Sequence, residues 1–130
     1  MPINIEGTPP GYDHWMHWHV VSKFRQELFS RDVAQELERL LRQKAAAEKY
    51  QIEAIAVDSD HFHFLLKSED PPSRVGQMLF GYISFHLRKK FPELTSKTPN
   101  SLWGGRQCKF VSDAQHLAKA REYIESHKRA

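Results

Sequence analysis

His61 and His63 flank Phe62 in the run Asp58-Ser59-Asp60-His61-Phe62-His63-Phe64-Leu65-Leu66, an apolar segment that opens from an acidic turn. On a strand, residues two apart share a face, so both imidazoles project together while Phe62 and Phe64 point the other way. A pair of neutral imidazoles is half of a divalent-metal site; elsewhere such pairs are often only two half-exposed polar residues. The other half is sought in Arg121-Glu122-Tyr123-Ile124-Glu125-Ser126-His127. There Tyr123 and His127, four apart, share one face of a helix, with His116 and Ala120 along the same stripe. A metal held by His61, His63 and His127 has three nitrogen ligands and open positions for a phosphate oxygen, with Tyr123 beside it. That is a nucleophile next to a Lewis acid. Tyrosine, with a free pKa of about 10, needs both a polarised phosphate and an acceptor for its proton. The plainer alternatives are a tyrosine packed on a sheet and a histidine stabilising a helix C-terminus.

These residues need elements to hold them. Gly7, Pro9, Pro10 and Gly11 make residues 1–12 a flexible N-terminal arm, leaving 13–130 as the folded domain. Residues 14–24, rich in aromatic and branched side chains, form a first strand. Residues 31–50 carry Val33, Leu37, Leu40 and Leu41 at helical spacing behind a Ser30 N-cap. Residues 51–57 and 61–67 are strands joined by the Asp-Ser-Asp turn. Pro71-Pro72-Ser73 opens a helix that ends near Phe91, before Pro92. A polar loop over 93–101 leads to an edge strand or short hairpin over 102–112, and Asp113 starts a last helix that runs to the C-terminus. The order is strand, helix, strand, strand, helix, strand, helix. An α+β, ferredoxin-like (RRM-like) split βαβ arrangement is the simplest fold for it: an antiparallel sheet with helices on one face, plus the C-terminal helix carrying the tyrosine. The first and third strands then lie together at the sheet centre, placing His61 and His63 on a rigid mount.

At 130 residues, with 40% hydrophobic and 27% charged residues, the chain is one ordinary globular domain. It has no apolar run long enough to span a membrane and no signal-peptide pattern at its start. Its single cysteine, Cys108, excludes an intramolecular disulfide and a cysteine-based zinc cluster. A cytoplasmic location follows as the default. The net charge of +3 permits an acidic partner without demanding one.

Four stretches resemble a known family, the TnpA-type single-tyrosine HUH transposases of bacterial and archaeal insertion sequences (IS200-like). Ser22-Lys23-Phe24-Arg25 is similar to the family's T-K-Y-R. Asp60-His61-Phe62-His63-Phe64-Leu65-Leu66 is similar to D-H-V-H-L-L, the histidine–hydrophobic–histidine signature. Leu102-Trp103-Gly104-Gly105 with Phe110-Val111-Ser112 resembles W-x-x-x-Y-F-V-S, and Tyr123-Ile124-Glu125 resembles the catalytic Y-I-E. The stretches occur in the family's order and span roughly residues 15–128. The resemblance implies that Tyr123 attacks a phosphodiester in single-stranded DNA, forming a 5′-phosphotyrosine link and freeing a 3′-OH. It implies that His61 and His63 hold Mg²⁺ or Mn²⁺. It also implies a homodimer that recognises hairpin ends and can exchange the tyrosine helix between subunits. Many relatives carry glutamine as third metal ligand four residues after the tyrosine; here His127 takes that place, which favours softer ions than Mg²⁺.

Other residues fit weaker readings. Asp58 and Asp60 either form the turn, ligate the metal or orient His61. His17 and His19 also alternate on a strand and are a rival metal pair. His116 is seven residues before Tyr123, a spacing that suits either the site or an exposed face. Among the basic residues Arg74, Arg88, Lys89, Lys90 and Lys109, a solvated face is the plainer reading. Lys23, Arg25 and Arg106 are the candidate phosphate contacts, the first two supported by the resemblance. Trp103, Phe110 and Phe80 are core or base-stacking residues. A domesticated nuclease of hairpin repeats and a non-catalytic nucleic-acid-binding module of ferredoxin-like fold are the alternative functions.

Overall fold

The structure, a computed structural model, describes residues 2–128. Strand β1 is Asn4–Glu6, β2 Trp15–Ser22, β3 Gln51–Val57, β4 His61–Lys67 and β5 Trp103–Phe110; helix α1 is Arg31–Ala47, α2 Pro72–Lys90, α3 Glu93–Lys97 and α4 Ala114–Ser126. The strands form one mixed sheet in the order β1-β5-β2-β4-β3. β2 runs antiparallel to both β4 and β5, β3 antiparallel to β4, and β1 parallel to β5. The strand of the histidine pair therefore lies beside the first long strand in the sheet's interior, and the fold is α+β.

Alternation along the strands divides the molecule into two unequal layers. One sheet face presents Met16, Trp18, Val20, Phe62, Phe64 and Leu66 to α1 and α2, whose Val33, Leu37, Leu40, Leu41, Val75, Leu79, Ile83 and Leu87 complete the main core. Ser30 caps α1 by accepting a hydrogen bond from the Val33 amide at 3.3 Å, and Pro72 stands in the first turn of α2, where its missing N–H costs nothing. Cys108 is buried in this core, and burial pushes its thiol up to about 12, so it is inert. The opposite face carries a small second cluster of Trp15, Ala54, Ala56, Leu65 and Val111, covered by Ala120 and Ile124 of α4.

Several expectations need correction. From the sequence no element is expected before residue 14, yet Asn4–Glu6 adds a fifth strand; all three residues are exposed, so no burial pattern marks them. With β1 outside it, β5 is neither an edge strand nor a hairpin but a single interior strand. The loop over 93–101 contains the one-turn helix α3, tied in by buried Leu94 and Thr98. The first strand ends at Ser22, because Phe24 and Arg25 turn the chain with positive φ angles of 58° and 52°. The last helix ends at Ser126 with His127 as its C-cap; residues 129 and 130, to which it was expected to run, lie outside the described residues. No helix among the described residues is long and apolar enough to cross a membrane.

Candidate active site

The face of the sheet that the main core leaves free is paved with histidine. In the β2–β4 ladder His19 is directly opposite His63, Val21 opposite His61 and His17 opposite Leu65, so His17, His19, His61 and His63 share one side. Ring centres are 5.9 Å apart for His61–His63, 5.3 Å for His19–His61, 6.1 Å for His19–His63 and 5.8 Å for His17–His63. Helix α4 lies over this face. Asp113 caps it by accepting from the His116 amide at 2.7 Å. Ala54, Ala56 and Ala120 are all small, which lets the helix approach the strands closely, and Arg121 pairs with Glu53 at 3.3 Å. The connection from β5 is short: Val111 is fully buried, and its amide donates to the Trp15 carbonyl at 3.1 Å.

This docking brings the C-terminal pair to the histidines. The Tyr123 ring is 5.3 Å from that of His63, 6.1 Å from His17 and 4.2 Å from His127; His127 is 5.5 Å from His63. Tyr123 is 51% exposed. His116, Ala120 and Tyr123, the predicted stripe, line a cavity of about 550 Å³ together with His17, His19, His63, Gln107, Lys109, Lys119 and Glu6.

Four imidazoles have distinct settings. The Nδ1–H of His61 donates to Asp60 Oδ1 at 2.8 Å, leaving Nε2 with a lone pair. Asp60 is held below its ordinary carboxylate value, first by that hydrogen bond and then by the nearby charges, among them Arg25 at 3.6 Å. His127 Nδ1–H donates to the Tyr123 carbonyl at 2.6 Å, again leaving Nε2 free. His63 is only 2% exposed, and neither ring nitrogen has a hydrogen-bond partner among the described residues. Burial, then the adjacent His17, His19, His61 and His127, pulls it down to about 3, so it is neutral at physiological pH. His17 is drawn down to about 4, again mainly by burial.

These observations bear on a metal. A buried imidazole with two unsatisfied nitrogens is costly unless something occupies one of them. Two imidazoles sharing an ion at about 2.1 Å have ring centres about 5 Å apart, close to the His61–His63 and His63–His127 spacings of 5.9 and 5.5 Å. As the side chains stand, no group of three or more His, Cys, Asp and Glu among the described residues is disposed to hold a metal ion. What suits a cation is the donor chemistry, imidazoles around a buried ring with unsatisfied nitrogens.

The candidate DNA contacts divide. Lys23 and Arg25 sit on the turn after β2, on the side of Asp60 and His61. Arg106 does not join them. It lies opposite Val20 in the β2–β5 ladder, on the face of the main core, with its guanidinium 5.6 Å from the Phe80 ring. Lys109 and Gln107, opposite His17 and His19, are the β5 residues on the histidine face. Alternation with the apolar Cys108 and Phe110 already puts Arg106 on the core side of the strand; only the pairing of β5 with β2 shows that Gln107 and Lys109 meet the histidines. Trp103, Phe110 and Phe80 belong to the core, as their chemistry suggests.

Known proteins of this architecture bear on the reading. Residues 11–127 match the model of the family described as transposase IS200 like. The chain is 27% identical over 122 residues to the ISDra2 transposase TnpA of Deinococcus radiodurans, covering 89% of this chain and 86% of that protein. Its fold is similar to the crystal structure of a proposed transposase from D. radiodurans R1, with a TM-score of 0.72 at 24% identity, over 96% of this chain and 98% of that one. It is also similar to a REP-associated tyrosine transposase bound to a REP hairpin, with a TM-score of 0.62 at 14% identity, over 95% and 68% of the two chains.

Proposed function

The chain belongs to the IS200-like transposase family, and from that premise we propose that it cleaves and rejoins single-stranded DNA through Tyr123. The observation that carries this reading is the neutral, unsatisfied His63 facing both Tyr123 and His127 across 5.3 and 5.5 Å. In the forward step the Tyr123 oxygen bonds to the scissile phosphorus. The bond from phosphorus to the 3′ oxygen breaks, giving a 5′-phosphotyrosine; the phenolic proton passes to solvent or a neighbouring base, and the departing 3′ oxygen takes up a proton from solvent to become the free 3′-OH. Attack by another 3′-OH reverses the step and regenerates the tyrosine. The phosphoester bond is conserved throughout, so no nucleotide cofactor is required.

His61, His63 and His127 are the ligands for Mg²⁺ or Mn²⁺, which when bound supplies Lewis-acid polarisation of the phosphate. Asp60 fixes the tautomer and ring angle of His61, and the Tyr123 carbonyl does the same for His127. Lys23 and Arg25 meet flanking phosphates. The working unit is a homodimer acting on strands with hairpin ends; the binding of a fold relative to a REP hairpin supports the latter.

The test is a labelled single strand from the flanks of the protein's own gene, incubated with Mn²⁺ or Mg²⁺ and run on a denaturing gel. A slow-migrating covalent adduct, absent with Tyr123→Phe and with EDTA, is expected. DNA retained on a native gel without any adduct on any flank would instead make the chain a binding module.

A further inference from the structure

Phe24 is the most exposed large apolar side chain of the described residues, at 82%. Single exposed apolar residues are common and by themselves need no function. This one is held out by a backbone that does not favour it. Phe24 has φ 58° and ψ 21°, and Arg25 follows with φ 52°; two consecutive non-glycine residues in the left-handed region are costly and persist only when their surroundings enforce them. The surroundings do so here. The Ser22 amide donates to the Asp60 carbonyl at 2.8 Å, the Lys23 amide to the Leu102 carbonyl at 2.8 Å, and the buried Ser22 hydroxyl to the Gln26 carbonyl at 2.5 Å. A phenyl ring is thereby fixed in solvent rather than folded into the core a few residues away.

Its location gives the ring a use. Arg25, the next residue, pairs with Asp60, whose other oxygen orients His61. On the other side Lys23 places its ammonium 5.1 Å from the ring centre. An aromatic plane beside a cation is the unit with which proteins hold unpaired nucleotides: the base stacks on the ring and the phosphate meets the charge. We propose that Phe24 is a base-stacking platform, gripping one unpaired nucleobase that flanks the scissile phosphate and so setting the strand's position over His61. Resting on the single-strand cleavage reading above, this makes Phe24 a positioning residue. Any base serves, because each has a π face.

The experiment measures the affinity of the full-length protein for a fluorescein-labelled flank oligonucleotide, with an abasic site walked along it. Phe24→Ala is expected to weaken binding on the order of tenfold, with an unchanged salt slope and melting temperature, while Phe24→Tyr and Phe24→Trp stay within twofold. One abasic position should cost the wild type the same factor and cost Phe24→Ala nothing further. Wild-type protein that binds and forms the adduct while Phe24→Ala binds equally well overturns the stacking role alone. A loss with an altered salt slope or a lowered melting temperature also overturns it, assigning the effect to Lys23 or to the turn. Wild-type protein that binds no single strand overturns the cleavage reading and this one with it.

Discussion

His63 carries the sharpest conflict between stability and function. An imidazole 2% exposed, with two unpartnered nitrogens, costs about 1–3 kcal/mol relative to an apolar group of similar shape. His63→Leu is therefore expected to raise the melting temperature of the metal-free protein in EDTA while abolishing the covalent adduct. A melting temperature at or below wild type would mean that the ring nitrogens are already satisfied. His127 bears on metal choice. His127→Gln should retain adduct formation but move the preference from Mn²⁺ towards Mg²⁺, read as the ratio of cleavage rates in the two ions. At this scale the sequence was informative, since spacing alone put His61 with His63 and Tyr123 with His127. It could not show that His17 and His19 share the same face and surround His63, because that depends on the pairing of β2 with β4. They stand against the proposed ligand set, His19 with its ring 5.3 Å from His61 and His17 5.8 Å from His63.

Among the elements, α4 is held by few contacts, and the smallness of Ala54, Ala56 and Ala120 sets its height above the sheet. Ala56→Leu is expected to cost about 1–3 kcal/mol and to lower adduct formation more than tenfold by lifting Tyr123 from His63, with the main core intact by circular dichroism. Unchanged cleavage would show that the helix acts without docking on its own sheet. On the other face, Glu36 of α1 takes two hydrogen bonds from Arg39 at 2.8 and 2.7 Å, with Lys90 of α2 at 3.5 Å. The Arg39 hydrogen bonds hold its carboxyl below the ordinary 4.5. A depressed carboxylate stabilises the fold above its unfolded pKa, and that stabilisation fades as pH falls through the folded value. Glu36→Gln should thus melt about 3 °C below wild type at pH 7, with the gap closing as pH falls through and below the ordinary 4.5. The long helices were legible from apolar spacing and caps; β1 and α3 were not, because three exposed residues and a single turn leave no periodicity to read.

Across the whole molecule, the sheet is a partition, with storage of apolar bulk behind it and chemistry in front. Arg106 lies behind and Lys109 in front. Arg106→Gln is therefore expected to change adduct formation on a minimal cleavage-site strand by less than twofold, whereas Lys109→Gln should weaken its binding several-fold and flatten the salt dependence. The reverse ranking would mean that the strand crosses the sheet edge to the α2 side. Finally, Val111, buried in the cluster between the sheet and α4 and tied to Trp15, is an anchor point for a leash. Beyond it only Ser112 and Asp113 precede α4, a span of about 7 Å when extended, and Tyr123 lies about 15 Å along the helix from its cap. If the helix leaves its own sheet, the Cα of Tyr123 can visit only a sphere of radius about 22 Å around Val111, which the phenol extends by its own length. On the proposed dimer, a second subunit would be served in trans only if its histidines fell inside that sphere, so the separation of the two proposed sites would decide whose DNA each tyrosine cuts.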